Sequence, residues 1–289
     1  MNTDTLVEDI YNLVSTKEVG DHIDLDDAIE NFGENIKGLM RTEFGVLKGR
    51  DSRKLRLSAI GRTDKYLWNS YNDTAGEELE PHTYIKFLYG HVIEELLLFL
   101  TKAAGHEVTC EQKTCHVSDI RGSMDCKIDG VVTDVKSTSS YGYKKFKDGT
   151  LAQDDPFGYI GQIKAYAHSE KETKYGWLAM DKQNGHLAYL MYDEEDKDHP
   201  MFKYLDYDIV DRVEHVKRMV NGPEPKEHCY ATVPDGKSGN TKLAMGCSYC
   251  QYKAHCYPNL RTFAYAYGPK YLVDVVKLPR VQEAIPDEF

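Results

Sequence analysis

The sequence predicts an α/β fold. Apolar residues recur at helical spacing in two N-terminal segments, 4–15 and 24–40. Pro81 precedes an apolar stretch from Ile85 to Leu100, which is long enough for a helix of about five turns. The pattern then changes to that of strands around Asp129-Gly130, a dipeptide favoured in tight hairpin turns. Helices and hairpins alternating in one chain indicate a sheet with helices packed against it.

The second half of the chain continues this pattern and then departs from it. We expect a helix over about 159–169 and a second hairpin over 176–192, which turns at Asn184-Gly185. Beyond Gly222 the sequence becomes rich in Pro, Gly and Cys, as is typical of a loop-rich unit that a cross-link must stabilise. We therefore expect three parts: an acidic helical segment over 1–50, a core over 51–221, and a cysteine-containing unit over 222–289 packed on the core.

Length and composition indicate a folded protein with no membrane segment. The chain has 289 residues, of which 41% are hydrophobic and 29% charged. No apolar run approaches the roughly 18 residues of a membrane helix, and the N-terminus lacks the basic start of a signal peptide. We expect a cytoplasmic protein. Its seven cysteines are an odd number, which favours metal ligation over a disulfide framework.

The net charge of −11 argues at first against nucleic-acid binding, but the charge is unevenly distributed. Residues 1–40 contain ten Asp or Glu against two Lys, whereas residues 41–66 contain eight Lys or Arg against three acids. A second basic cluster comprises Lys136, Lys144, Lys145 and Lys147. Each of these runs is compatible with a solvated face as well as with phosphate contacts.

The first hairpin carries the residues of a candidate catalytic site. If Asp129-Gly130 is a two-residue turn, Asp125 lies opposite Asp134, with Cβ atoms about 5 Å apart. Lys136 follows Asp134 by two residues and shares its face of the strand. Two hard carboxylate ligands suit Mg²⁺ or Mn²⁺, and displacement at phosphorus is the chemistry that such a site serves. A surface hairpin with merely solvated charges is the alternative.

Four motifs occur in order over residues 90–166. They are Gly90-His91-Val92-Ile93-Glu94, Gly122-Ser123-Met124-Asp125, Asp134-Val135-Lys136, and Gln162-Ile163-Lys164-Ala165-Tyr166. In this order they resemble the motifs of the RecB and Cas4 branch of PD-(D/E)XK nucleases. The resemblance implies a restriction-endonuclease-like core, with a central mixed β-sheet flanked by helices, over residues 51–221.

The resemblance also assigns roles within these motifs. It implies that Glu94, Asp125, Asp134 and Lys136 are catalytic. The metal ligands would be the three carboxylates and the backbone carbonyl of Val135, with His91 as a further candidate. In the RecB and Cas4 branch the fourth residue after the glycine is often His, so Glu94 departs from that pattern and leaves the role of His91 open. Gln162 and Tyr166, one helical turn apart, would contact phosphate or hold Lys136.

A separate metal site is predicted near the C-terminus. Cys247-x2-Cys250-x5-Cys256 is a metal-ligand spacing. It resembles the C-terminal spacing around a [4Fe-4S] cluster in Cas4-type and AddB-type nucleases. Their fourth cysteine lies far upstream, but the corresponding residues 58–62 contain none. Cys229 is the best substitute. Such a local four-cysteine site could equally hold structural Zn²⁺.

These observations lead to a metal-dependent DNA exonuclease or end-processing nuclease of phage or bacterial recombination, repair or Cas4-like DNA processing. A non-catalytic nucleic-acid-binding scaffold on the same fold is the alternative, and a sequence-specific restriction endonuclease is less favoured. The chain lacks a G-x-x-x-x-G-K-[ST] loop, so a helicase or recombination protein is a candidate partner. We expect DNA to follow basic residues on both sides of the metal: Arg53, Lys54, Arg56, Arg62, Lys144, Lys145 and Lys147.

Overall fold

The structure is a computed structural model that describes residues 2–20, 22–45, 54–78, 81–266 and 268–284. Contacts divide the chain into two compact units. The first comprises Met1–Asp51, Leu55–Gly61 and Glu80–Glu214, and the second comprises Ser52–Lys54, Arg62–Leu79 and His215–Phe289. No helix within the described ranges is long and apolar enough to cross a bilayer.

The elements are numbered in chain order. The α-helices of the described residues are α1 Leu6–Thr16, α2 Leu25–Phe44, α3 Asp64–Tyr71, α4 Pro81–Ala103, α5 Ser140–Lys147, α6 Tyr159–Glu170, α7 Phe202–Leu205, α8 Ile209–Val220, α9 Met245–Ser248 and α10 Lys253–Cys256. The strands are β1 Val108–Thr109, β2 Thr114–Val117, β3 Ile120–Ser123, β4 Cys126–Ile128, β5 Val131–Thr138, β6 Lys174–Asp181, β7 Leu187–Asp193, β8 Val233–Pro234, β9 Thr241–Lys242, β10 Arg261–Tyr265, β11 Gly268–Asp274 and β12 Glu283–Ala284. Short 3-10 helices span Leu57–Ala59 and Leu151–Gln153.

The first unit is built on a five-stranded sheet of order β1-β4-β5-β6-β7. Strands β5 and β6 pair in parallel, and the other neighbours pair antiparallel. The central strands are buried on both faces, as expected where helices cover both sides of a sheet. The predicted α/β class with a central mixed sheet flanked by helices is confirmed.

Helices α1 and α4 cover one face of this sheet. Leu6 and Ile10 of α1 and Leu97 of α4 join Val135 and Leu178 of the sheet in one buried apolar cluster. On the other face the Phe146 ring of α5 lies 6.2 Å from that of Trp177. Because side chains alternate along a strand, Asp134 and Lys136 project away from the α4 face on which Val135 packs. Their face is the one covered by α6.

The first predicted hairpin has the expected register. Ile128 pairs with Val131, and the turn residues Asp129 and Gly130 have φ angles of 47° and 84°. Positive φ at both positions is the requirement of a type I′ turn, which Gly tolerates and Asp adopts more readily than most residues. The second hairpin is also confirmed, since β6 and β7 pair antiparallel around Asn184-Gly185.

The second unit contains more regular structure than its composition indicated. A five-stranded sheet of order β12-β10-β11-β9-β8 lies within it, and Phe263 and Leu272 are buried there. Residues 62–79, which the sequence analysis grouped with the core, belong to this unit and contain α3. Trp68 Nε1 of α3 donates a hydrogen bond of 2.9 Å to the Gly222 carbonyl. The strands of this sheet are short and separated by glycines, so the spacing of hydrophobic residues did not predict them.

Two glycines of the first unit are fixed by close backbone contact. A Cβ at Gly61 would lie 2.3 Å from the Gly158 carbonyl oxygen, and a Cβ at Gly161 would lie 2.4 Å from the Gly61 Cα. Both obstacles are backbone atoms, which cannot move aside as a flexible side chain does. The start of α6 is therefore held against residues 57–61 by the absence of two side chains.

Gly161→Ala should consequently destabilise the protein by about 1–3 kcal/mol, although alanine in a helix normally stabilises by up to about 1 kcal/mol. Gly38→Ala in α2 is the matched control, because nothing lies within 4 Å of its Cβ. It should be neutral or stabilising. Chemical denaturation followed by circular dichroism measures both. Equal or higher stability of Gly161→Ala would contradict the close packing.

Candidate active site

Asp134 of β5 is the most deeply buried of the candidate catalytic residues, with 0% of its surface exposed. Its Oδ1 accepts a hydrogen bond of 3.0 Å from Gln162 Nε2 of α6. Its Oδ2 lies 2.6 Å from Lys136 Nζ. Apart from this ion pair, Oδ2 has no hydrogen-bonding partner among the described residues. One carboxylate oxygen is thus fixed, while the other has only a neighbouring charge.

Lys136 occupies the same face because it follows Asp134 by two residues in a strand. Burial acts to lower its pKa, but the carboxyl groups of Asp134 and Asp125 outweigh that effect and raise the pKa above its ordinary value. The ammonium also lies 4.9 Å from the centre of the Tyr159 ring. Lys136 therefore stays protonated in this pocket, as a positive charge next to a buried carboxylate.

Asp125 immediately precedes β4. In the register of the hairpin, Cys126 pairs with Thr133, so the next position outward brings Asp125 opposite Asp134. Its Oδ2 accepts a hydrogen bond of 2.8 Å from the Val135 backbone N–H. Burial, together with repulsion from Asp134 and Glu94, raises the Asp125 pKa well above its usual range.

Glu94 reaches the site from α4. Burial is the main cause that raises its pKa to about 7, and the Asp134 charge adds to it. Its Oε1 accepts a hydrogen bond of 2.8 Å from Gln112 Nε2. His91 lies one turn earlier, with its Nδ1 4.0 Å from Glu94 Oε2 and with half of its side chain exposed. Gln112 belongs to no motif, and the sequence carried no signal for it.

Three carboxyl groups therefore surround one lysine in a buried pocket. Burial is the main cause that raises the pKa of all three acids. Repulsion adds to it, from Asp134 at Glu94 and from both Asp134 and Glu94 at Asp125. Carboxylate oxygens with unsatisfied lone pairs are the ligands of hard divalent cations. Within the described residues, however, no three His, Cys, Asp or Glu side chains are arranged to hold a metal ion.

Gln162 and Tyr166 have positions that differ from the expected contact with DNA. Gln162 donates its amide to Asp134, and the same Nε2 lies 3.4 Å from the Tyr166 hydroxyl. Tyr166 is only 1% exposed, and burial is the main cause that raises its pKa. A buried ring offers no surface to a phosphate. Gln162 instead holds the Asp134 carboxylate in place, and the Tyr166 hydroxyl contacts Gln162.

Close packing requires glycine at one of the two motif positions. A Cβ at Gly122 would lie 2.7 Å from the Leu57 Cβ and 2.8 Å from Tyr166 Cε1, so a side chain there would displace the Tyr166 ring. A Cβ at Gly90 would lie 3.4 Å from Ser137 Oγ of β5, which is an ordinary van der Waals contact.

The basic residues of the expected DNA track are only partly described. Lys144 and Lys147 are exposed on α5, which is a helix rather than a loop. Lys145 is already paired, with Nζ 2.5 Å from Asp154 Oδ2. Arg56 is exposed in the first unit, Lys54 and Arg62 belong to the second unit, and Arg53 lies outside the described residues.

The four candidate cluster ligands all lie in the second unit. The pKa of Cys247 is raised to about 12 by burial first, and then by the nearby Cys229, Cys250 and Cys256 thiols. Burial raises the pKa of Cys256 to about 11; Lys65 opposes this shift, and Cys229 and Cys250 add to it. The thiols are therefore close enough to interact, although they do not form a closed ligand set. Outside this group, Cys115 and Cys126 are buried, whereas Cys110 is only partly buried.

Comparison with solved structures gives weak likenesses. The crystal structure of SSO0001 matches with a TM-score of 0.41 and 14% identity, over 78% of this chain and 95% of that one. An alkaline exonuclease (LHK-Exo) from Laribacter hongkongensis matches with a TM-score of 0.37 and 11% identity, over 59% and 91%. A phage related exonuclease from Haemophilus somnus 129PT matches with a TM-score of 0.36 and 14% identity, over 65% and 92%.

No protein-family model matches the sequence, and no curated protein matches it either. The structural neighbours thus include exonucleases at low identity. Because their TM-scores and identities are all low, these likenesses assign no activity to the chain.

Proposed function

We propose that the protein is a divalent-metal-dependent deoxyribonuclease that hydrolyses phosphodiester bonds at DNA ends, of the RecB and Cas4 type. The observation that supports this most strongly is the buried Asp134 carboxylate, with one oxygen fixed by Gln162 and the other next to Lys136. A structural ion pair needs no further acids nearby. Asp125 and Glu94 add two, at a cost in repulsion that a bound cation would remove.

The chemistry of the donor set, hard oxygen atoms only, suits Mg²⁺ or Mn²⁺. The ion would be held by Glu94, Asp125, Asp134 and the Val135 carbonyl, and the observation that supports this is the buried Asp134 Oδ2, which has no hydrogen-bonding partner apart from its ion pair with Lys136. When bound, such an ion polarises the phosphate and lowers the pKa of a coordinated water.

The protein side chains supply the remaining functions. Gln162 fixes the orientation of Asp134 through Oδ1. Lys136 Nζ donates to the water or to a non-bridging phosphate oxygen and offsets the charge that develops there. The water oxygen releases one proton to solvent as it forms a bond to phosphorus, the bond to the departing DNA oxygen breaks, and that oxygen takes up one proton from solvent.

The test of this function uses purified full-length protein with end-labelled linear DNA and with circular DNA, in Mg²⁺ or Mn²⁺. Metal-dependent loss of linear DNA, with circles preserved, is the expected result. Equal degradation of circles would contradict action at ends. Absence of cleavage with either metal, combined with DNA binding, would favour the non-catalytic scaffold.

The cysteine group has a structural role in this proposal. Cys229, Cys247, Cys250 and Cys256 would hold a [4Fe-4S] cluster, with Zn²⁺ as the alternative. The raised pKa values of the buried Cys247 and the partly buried Cys256 mean that these thiols are costly to ionise unless a metal binds the thiolates. Binding would therefore stabilise the second unit.

Asp134→Asn should lower the rate of cleavage of linear DNA at least about 100-fold, because it removes a charged ligand while keeping the shape of the side chain. Stability should change little, since repulsion with Asp125 and Glu94 falls as well. Lys136→Ala should also lose cleavage. Asp193→Asn, on β7 and 3.4 Å from Lys174, is the control and should cleave normally. Cleavage by Asp134→Asn at the wild-type rate would refute the assignment.

The metal-free protein, kept in EDTA, should lose stability as the pH rises from 5 to 8. The folded Glu94 has a pKa of about 7, above its ordinary value of 4.5, so the folded state keeps a proton that the unfolded chain has already released. Stability therefore falls as pH rises through this window. Glu94→Gln should remove about 1–3 kcal/mol of the loss. Denaturant titrations at each pH measure it.

Added Mn²⁺ should reverse the loss in the wild type, and by more at pH 8 than at pH 6, because the ligands must be deprotonated to bind it. Parallel stability–pH curves of wild type and Glu94→Gln, with or without Mn²⁺, would show that Glu94 does not have the proposed environment.

Cys250→Ala should lower the melting temperature and the content of bound iron or zinc, with a smaller effect on the rate of cleavage. Cys110→Ala, outside the cysteine group, is the control and should retain the metal. Elemental analysis of anaerobically purified protein distinguishes iron from zinc. Neither element in the wild type, or full metal content in Cys250→Ala, would contradict the site.

A further inference from the structure

Helix α4 extends more than two turns beyond His91 towards its N-terminus, and large side chains on this extension are exposed. Tyr84 is 59% exposed, Phe87 53% and Tyr89 46%. The extension lies in the first unit, on the same helix that supplies Glu94. Several exposed aromatic rings on one short segment are typical of a binding surface rather than of a solvated helix.

Two of these rings lie in line with the candidate active site. Tyr84, Phe87, His91 and Glu94 are separated by three, four and three residues, so they share one face of the helix. The Tyr84 and Phe87 ring centres are 6.5 Å apart. We call these two rings the aromatic stripe. Tyr89 follows Phe87 by two residues and therefore projects from the opposite side.

The charge around the stripe suits a polyanion. The chain carries a net charge of −11, yet residues 81–93 contain no Asp or Glu. Of the basic residues in this segment, His91 lies on the face of the stripe, whereas His82 and Lys86 each lie two residues from Tyr84 and project from other sides of the helix. In an acidic protein, a stretch without acidic residues repels a phosphate backbone less than the chain as a whole does.

We propose that the aromatic stripe stacks with unpaired bases of the DNA strand whose scissile phosphate lies at Asp134 and Lys136. This inference rests on the proposed function and names its substrate as single-stranded or frayed DNA. Aromatic rings stack with any base, so the stripe would bind without sequence preference. Seven residues of helix place Phe87 about 10 Å from Glu94 along the axis, which is roughly three stacked nucleotides.

A second protein surface fits this region less well than a DNA strand. Two aromatic side chains bury at most about 500 Å², whereas a stable interface needs about 800 Å² from each partner. The other exposed rings and aliphatic side chains do not extend the stripe, because Tyr89 and Ile85 project from the far side of the helix. Stacked bases of a single strand can bind to these two rings without a larger contact surface.

The test compares Tyr84→Ala/Phe87→Ala with wild type and with Tyr89→Ala, which removes an equally exposed ring from the other side of α4. Affinity is measured by fluorescence anisotropy in Ca²⁺, which suppresses cleavage, over a range of salt concentrations. The probes are a single-stranded oligonucleotide and the same strand with an abasic stretch, which keeps the phosphates and removes the bases.

Wild type and Tyr89→Ala should bind the normal strand more tightly than the abasic one. The double variant should bind the normal strand at least about fivefold more weakly for each ring removed, with an unchanged salt dependence, and should no longer distinguish the two probes. Circular dichroism checks that all variants are folded.

Equal affinity of the double variant and wild type would overturn the inference, as would an equal loss in Tyr89→Ala. The inference would also be overturned if sedimentation showed a dimer for the wild type but not for the double variant, while the double variant kept normal affinity for DNA. A wild type that cleaves DNA but shows no difference between the variants refutes the stripe alone. A wild type that neither binds nor cleaves DNA refutes the proposed function as well.

Discussion

The ion pair between Asp134 and Lys136 is the constraint on which the site depends. Both charges lie on one strand of the central sheet, and Asp134 is fully shielded from solvent. A buried pair is costly unless further contacts satisfy its atoms, and here Gln162 satisfies only one carboxylate oxygen. The packing of α6 on β5 and the small residues Gly61, Gly122 and Gly161 keep this geometry in place. A side chain added at any of these glycines would disturb the charge pair as well as apolar contacts.

Excess negative charge explains how stability and function are related in this pocket. Burial and mutual repulsion raise the pKa values of Glu94 and Asp125, so the metal-free fold carries a penalty at neutral pH. Stability alone would not require three acids around a single lysine. In the proposed function a bound cation would offset their charge, and contacts to DNA would be local because an acidic surface repels a polyanion.

The sequence predicted the parts of the fold that local patterns determine. The type I′ turn at Asp129-Gly130 set the hairpin register and thereby the positions of Asp125 and Asp134. Gln112 could not be predicted, because its bond to Glu94 depends on a loop conformation with positive φ at Gln112. The burial of Tyr166 depends on the approach of Leu57 from a distant segment. The second sheet has strands of two to seven residues, too short to show a period.

The most direct test of the central claim is anomalous diffraction from crystals of the full-length protein grown with Mn²⁺. The account predicts an anomalous peak next to the Asp134 carboxylate, with Asp125 and Glu94 among its ligands and Lys136 beside it. An intact Asp134–Lys136 pair without any manganese peak in this pocket, at metal concentrations that support DNA cleavage, would contradict the account.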